Sequence, residues 1–277
     1  MVGVTRTTIT VRHSARYAGP VLLTAAAAWA WAVLRWGDMG FRTMAGNLPA
    51  FMGMWTIMMT AMMLPATAPV ASLYARTVPI HRAPRIIAFT AGYVLVWAAA
   101  GLPAYASAVV ATHVATTHPA TGTAAAAAVF AINGVYQLTA LKDFCLTKCR
   151  SPIGLLLRYA SYRGASRHLR AGAHHGAFCL GCCWSLMLLL TAFGVMNLWA
   201  MVGLAAIVTA EKRLPRGRLV ARVVGLTSLA LAIAVFWVPL LAPNLTGSGM
   251  TGMGLRHLWW QVAPVSGPPF RHLSVSW

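Results

Sequence analysis

Acidic residues are nearly missing from this chain. Among 277 residues there are three, Asp38, Asp143 and Glu211. With so few carboxylates there is no pair for general acid–base work and no cage for two metal ions. A two-metal hydrolase and an ATP-driven pump are excluded on that ground. The sequence also has no Walker loop, no glycine fingerprint for nucleotide phosphates and no Ser-His-Asp order. Charge of either sign is scarce. Charged residues make up 9% of the chain, against about 25% in an ordinary soluble domain. A soluble protein of this size could not cover its surface with so few charges, so part of its solvent must be lipid. The five cysteines are an odd number and cannot all pair within one chain. No internal repeat, coiled-coil heptad or second soluble domain stands out.

Hydrophobic residues are abundant, at 59%, and the formal net charge is +19. In a soluble protein that charge would suggest nucleic acid. Here the basic residues fall between apolar runs, so membrane topology accounts for them. The expected partner is the lipid bilayer, with no nucleic acid.

The apolar runs cover about residues 18–34, 51–73, 86–110, 123–141, 178–210 and 219–241. The run over 178–210 is too long for one span of about 20 residues. Gly194-Val195-Met196-Asn197 interrupts it, so it reads as two helices joined by a tight turn. The first run follows Arg6, Arg12 and Arg16 and resembles a signal peptide. The absence of a clear cleavage site favours an uncleaved helix.

The expected fold is therefore all-α, a polytopic transmembrane helix bundle of about seven spans, with six as the alternative. The positive-inside rule decides between them. With the N-terminus in the cytoplasm, every inner segment is basic, from Arg6–Arg16 through Arg76–Arg85 and Lys142–Arg170 to Lys212–Arg222. The outer segments hold only Arg35, Arg42, Arg256 and Arg271. Six spans would put Lys142–Arg170 and Lys212–Arg222 on opposite sides and erase the asymmetry. The chain then divides into a basic cytoplasmic segment (1–17), a transmembrane helical domain (18–243) and an irregular tail (244–277). The location implied is the bacterial cytoplasmic (inner) membrane, crossed several times.

All five cysteines lie within one stretch of this domain, at its expected cytoplasmic face. Cys145 and Cys149 are i, i+4. If the segment from His175 onward is helical, His175, Cys179, Cys182 and Cys183 fall at i, i+4, i+7 and i+8 and share an arc roughly 100° wide. A basic loop of about 24 residues between Cys149 and His174 would close the two clusters into one unit. Cytoplasmic thiols stay reduced, so a cluster there points to metal binding or catalysis. Thiolates and imidazole suit soft metals: four-coordinate sites suit Zn(II), and two- or three-coordinate thiolates suit Cu(I). Lys142, Lys148, Arg150 and the helix N-terminus would favour thiolates. The plainer reading is cysteine as a small buried hydrophobe.

The second run is rich in methionine, with Met58, Met59, Met62 and Met63 beside Met52 and Met54. Thioethers take Cu(I), but methionine also fills cores. Asn133 and Gln137 are i, i+4 inside the fourth run. They are candidates for helix–helix hydrogen bonding or substrate contact. Glu211 and Asp143 are each either half of a local ion pair or a carboxylate near the cysteines. His13, His81, His113, His118, His168, His257 and His272 are scattered and carry no assigned role.

Several stretches together make a recognisable pattern. They are Trp55-x2-Met58-Met59-x-Ala61-Met62-Met63-Leu64-Pro65; Tyr136-Gln137-Leu138-Thr139-x2-Lys142-x2-Cys145-Leu146-x2-Cys149-Arg150-x-Pro152; His175-Gly176-x2-Cys179-x-Gly181-Cys182-Cys183-Trp184-x-Leu186-Met187; Gly194-x-Met196-Asn197-Leu198; and Glu211-Lys212. They run from about residue 50 to 240. In them the chain resembles a bacterial family of predicted metal-binding integral membrane proteins, a domain of unknown function. The resemblance implies a polytopic membrane protein with a metal site.

The function expected is binding of a soft metal ion, copper before zinc, in metal handling, delivery or transport. A metallochaperone or metalloenzyme would be the protein partner. Metal ligands would be Cys145, Cys149, His175, Cys179, Cys182 and Cys183. Secondary sites would be Met58, Met59, Met62, Met63 and His174, with polar support from Asn133, Gln137, Lys142 and Glu211. Two other readings stay open: a membrane thiol oxidoreductase using the cysteine pairs, and a metal-independent membrane assembly or structural protein. No catalytic residue is assigned.

Overall fold

A computed structural model describes residues 19, 21–34, 47–77, 82–117, 119–150, 152–194 and 197–246. The basic segment 1–17 and the tail beyond Thr246 lie outside the described residues. So do Arg35, Arg42, Arg256 and Arg271, on which the charge asymmetry partly rests.

The described chain is an all-α bundle with no strand among the described residues. Its helices are α1 (Val21–Leu34), α2 (Leu48–Thr77), α3 (Arg82–Thr117), α4 (Pro119–Gln137), α5 (Ala140–Arg150), α6 (Pro152–Ala160), α7 (Arg167–Phe193), α8 (Leu198–Arg213), α9 (Gly217–Ala234) and α10 (Pro243–Thr246). A 3₁₀ turn at Pro239–Leu241 separates α9 from α10.

Four helices are long and apolar enough to cross a membrane: α2, α3, α7 and α9. A fifth span is available if α4 and α5, bent by 63° at their junction, count as one. Each remaining apolar run is also helical, in α1 and α8. At 1.5 Å per residue α1 is about 21 Å long and α8 about 24 Å, short of a hydrocarbon core of about 30 Å.

Helix α7 runs through the centre, against α3, α4, α5 and α8. Its tightest partner is α3, and glycine makes that approach possible. A Cβ on Gly172 would strike the Phe89 carbonyl, and one on Gly92 would strike the Leu169 carbonyl. Small residues serve helix contacts in lipid this way, because backbones must come close to gain dispersion energy. Pro65 and Pro69 lie inside α2. Pro69 has no N–H for the Pro65 carbonyl, and Arg213 Nη2 of α8 donates to that carbonyl instead. At one end of the bundle α10 packs on α3, α4 and α7, and Asn244 Nδ2 donates to the Thr191 carbonyl at 2.7 Å.

The break expected inside 178–210 is present. Helix α7 stops at Phe193 and Gly194 follows with φ +100°. Asn197 caps α8 by accepting from the Ala200 amide at 3.2 Å. Other boundaries moved. The fourth run ends at Gln137, and Leu138-Thr139 turns the chain into α5. The expected basic loop is mostly helix: α6 and the first turns of α7 occupy it. Arginine and histidine lowered its hydropathy without lowering its helix propensity much. The cysteines therefore do not open a helix. Cys179 lies about 18 Å along α7 from Arg167, too far for the helix terminus to act on it. Pro243–Thr246 is a helical turn, at residues where an irregular tail was expected to begin.

Candidate metal centre

Three helices bring the cysteines together. Helix α5 buries one face, formed by Lys142, Cys145, Leu146 and Cys149 at i, i+3, i+4 and i+7. Helix α7 buries His175, Cys179, Cys182 and Cys183. Helix α8 ends beside them with Glu211 and Lys212. All five cysteines are free and buried.

The sulfurs of Cys149, Cys179, Cys182 and Cys183 lie close enough to perturb one another. Cys145 lies at the edge: its sulfur would sit 3.1 Å from a Cβ on Gly181. Within α7 the Cys182 and Cys183 thiols donate back to the Cys179 carbonyl at 3.1 and 2.8 Å. Two further polar groups meet the Cys179 sulfur. Lys212 Nζ approaches it at 2.8 Å and Tyr93 Oη at 2.9 Å. An ammonium beside a sulfur lowers the cost of a buried thiolate.

An ion pair lies beneath the sulfurs. Lys142 Nζ is 2.7 Å from Glu211 Oε2, both side chains being inaccessible to solvent. Gln137 Nε2 donates to the other carboxylate oxygen at 3.1 Å. Lys142 also donates to the Cys182 carbonyl. Asn133 Nδ2, one turn from Gln137, donates to Ser228 Oγ of α9 at 2.8 Å. Both buried amides thus serve helix–helix hydrogen bonds. Asp143, by contrast, is partly exposed and 4.0 Å from Arg218.

The two adjacent histidines part company. His175 is 2% exposed, its ring lies against Phe89 and Tyr93, and its Nδ1 has no hydrogen-bond partner. A buried imidazole nitrogen without a partner is costly unless something fills the place. His174 turns to another side of α7. It meets Tyr159 Oη at 3.3 Å through Nδ1 and packs edge-on to Phe178. Burial pushes the Tyr159 phenol above its ordinary pKa. The methionines Met58, Met59, Met62 and Met63 are all buried in the core, on a helix that packs against α3 and α8.

Among the described residues no three His, Cys, Asp or Glu side chains stand in the arrangement of a metal-ion shell. The Cys182 and Cys183 thiols spend their protons on the Cys179 carbonyl. Rotation of Cys182 and Cys183 about χ1 would free both sulfurs. The donor set itself fits a soft ion: four neighbouring sulfurs, a fifth at the edge and one unpartnered imidazole nitrogen, all buried. Two contacts to the sulfurs were not foreseen. Lys212 was readable as a lysine set beside a rare acid. Tyr93 left no signal, since its partner is 86 positions away.

A family model described as PpoB2, copper chaperone, matches residues 52–235. The chain belongs to this copper-chaperone family. The match takes in α2 through α9, hence every cysteine and methionine considered above. No curated protein and no solved structure matches the chain significantly.

Proposed function

We propose that this protein is a membrane-embedded copper chaperone. It holds Cu(I) as cargo on sulfurs of Cys149, Cys179, Cys182 and Cys183, with Cys145 and His175 as further donors, and passes the ion to a metalloenzyme or a second chaperone. The observation that carries this reading is the convergence of four buried thiols from α5 and α7 in a chain of a copper-chaperone family. Soft sulfur ligands at low coordination select Cu(I) over harder ions. Burial would also keep water and oxidants from the ion.

The bundle's two ends support a membrane setting. Trp199, Phe236 and Trp237 are exposed near one end, where α7 passes to α8 and α9 stops. Arg150, Arg213, Arg216 and Arg218 gather near the other, where α8 passes to α9. Aromatic residues at one interface and cations at the opposite one follow the pattern of a bacterial inner-membrane protein with its basic end inside. The thiols would then lie near the cytoplasmic boundary. With α1 and α8 as short spans beside the four long helices and the α4–α5 pair, seven crossings remain the topology favoured.

The test is metal content of the detergent-purified protein, prepared under reducing conditions and loaded with Cu(I) or Zn(II). Near-stoichiometric copper in wild type, absent in a Cys179/Cys182/Cys183→Ser variant, is the expected result. No retained copper in wild type would overturn the proposal; zinc in its place would change the cargo. A second reading, a thiol oxidoreductase, draws on the proximity of the Cys149 and Cys182 thiols. It predicts the loss of two free thiols on mild oxidation, without metal.

A further inference from the structure

Helix α5 carries two of the five cysteines, yet it is only 11 residues long and is set off from α4 by a 63° bend. A helix this short has little stability of its own. Its outward face is exposed at Leu141 and Phe144. What fixes its position must therefore come from its buried face and its two ends.

Two basic side chains do this. Near the start of α5, Lys142 reaches across to Glu211 of α8 and to the Cys182 carbonyl of α7. At its end, Arg150 donates to three carbonyls where α8 stops: Glu211 at 2.8 Å, Leu214 at 2.5 Å and Pro215 at 3.2 Å. The Glu211 carbonyl, in the last turn of α8, has no amide partner in its own helix and lies at the negative end of its dipole, while Leu214 and Pro215 follow the helix end. Gly217 leaves room for the guanidinium: a Cβ there would collide with Arg150 Nη1. Both cations converge on Glu211, one on its carboxylate and one on its backbone. Cys145 and Cys149 lie between them on the same helix. Arg218 adds a weaker contact to Thr147 Oγ1 at 3.0 Å.

The geometry points to Glu211 as a latch that sets the register of α5, and with it Cys145 and Cys149, against the cysteines of α7. Glu211 is a positioning residue here and holds no copper. A buried ion pair adds little net stability, because desolvation offsets the attraction. It does discriminate strongly between positions of its partners. A shift of α5 by one turn would leave the carboxylate and the ammonium buried and unpaired. Gln137, anchored on α4 before the bend, holds the other carboxylate oxygen, so the latch ties α5 and the end of α4 to α8. The inference deepens the copper-chaperone reading. It makes α5 the one part of the thiol site that can be released separately.

The test has two arms on the full chain in detergent. In the first, without metal, each cysteine is alkylated with a maleimide and its rate followed by peptide mass spectrometry. In Glu211→Gln and Lys142→Met, Cys145 and Cys149 should react at least about tenfold faster than in wild type, as expected for a lost buried pairing. Lys142→Arg keeps donors for Glu211 and for the Cys182 carbonyl and should restore slow labelling. Arg150→Gln, a change at the periphery, should give an intermediate rate and keeps the test open if the core variants do not fold. In the second arm, Cu(I) affinity is measured by chelator competition. Glu211→Gln should bind copper about 10–100-fold more weakly, as when a group that orients a ligand is lost. Unchanged labelling in Glu211→Gln, Lys142→Met and Arg150→Gln would overturn the latch, as would uniform acceleration at all five cysteines. The labelling arm uses no metal, so its failure is distinct from failure of wild type to bind copper.

Discussion

The buried face of α7 and the methionine stretch of α2 begin as equals. Both place soft sulfur donors at helical spacing, and both end fully buried. Their surroundings differ. On α7 the Cys179 sulfur meets an ammonium and a phenol from other helices, and an ion pair lies one layer beneath. On α2, Met58, Met59, Met62 and Met63 sit in the apolar core with Phe51, Trp55 and Leu64. A side chain that only fills space needs no polar company. One that must change charge state or give up a proton does. Polar company therefore separates candidate ligand from filler where spacing does not.

The comparison breaks most visibly at α7. Cys179/Cys182/Cys183→Ser should abolish Cu(I) retention through gel filtration, while circular dichroism stays helical. Retention in that variant would put the cargo elsewhere, with the methionines next in line. Within α5, Cys149→Ser should cost clearly more Cu(I) affinity than Cys145→Ser, because the Cys149 thiol touches Cys182 and Cys145 lies at the edge. Chelator competition on the two single variants checks the order. Smaller effects should follow from the donors to Cys179. Lys212→Met and Tyr93→Phe should each weaken Cu(I) binding by about 10–100-fold, the range for groups that orient metal ligands. An affinity equal to wild type in both would reduce them to packing. The smallest change is expected on α2. Replacing Met58, Met59, Met62 and Met63 singly with Leu conserves volume and should cost under about 1.5 kcal/mol each. Copper stoichiometry should not move. A drop in copper without a drop in thermal stability would promote these thioethers from filler to ligands.

Much of the helix content was legible in the long apolar runs, which a helix can bury without leaving backbone polar groups unpaired. Every apolar run corresponds to a helix, including the two separated at Gly194–Asn197. Helices without that signature were not legible. The first turns of α7 carry Arg167, His168 and Arg170, and a low-hydropathy stretch with cations reads as a loop; α6 is apolar but only 9 residues long, too short to stand out as a span. The bend at Leu138-Thr139 was hidden for the converse reason, since an apolar run continues through it to Leu141. At the site, Cys145 with Cys149, and His175 with Cys179, Cys182 and Cys183, could be grouped by spacing. Asn133 and Gln137 could be flagged as costly polar groups that need partners. Their partners, Ser228 and Glu211, lie 95 and 74 positions away. No local pattern reaches that far.

The sequence by itself determined that this chain is helical, that its environment is largely apolar, and that its thiols lie on two helix faces. Those properties follow from composition and from a 3.6-residue period, which are local. Tertiary structure decided which faces meet. It turned His175 inward against Phe89 and Tyr93 and His174 toward Tyr159. It set Lys212 and Tyr93 on the Cys179 sulfur. It placed Lys142 between Glu211 and the Cys182 carbonyl. The physical reason is that a helix fixes only the direction of its side chains about its own axis. The neighbour in that direction is chosen by how closely the backbones pack, as Gly92 and Gly172 allow between α3 and α7.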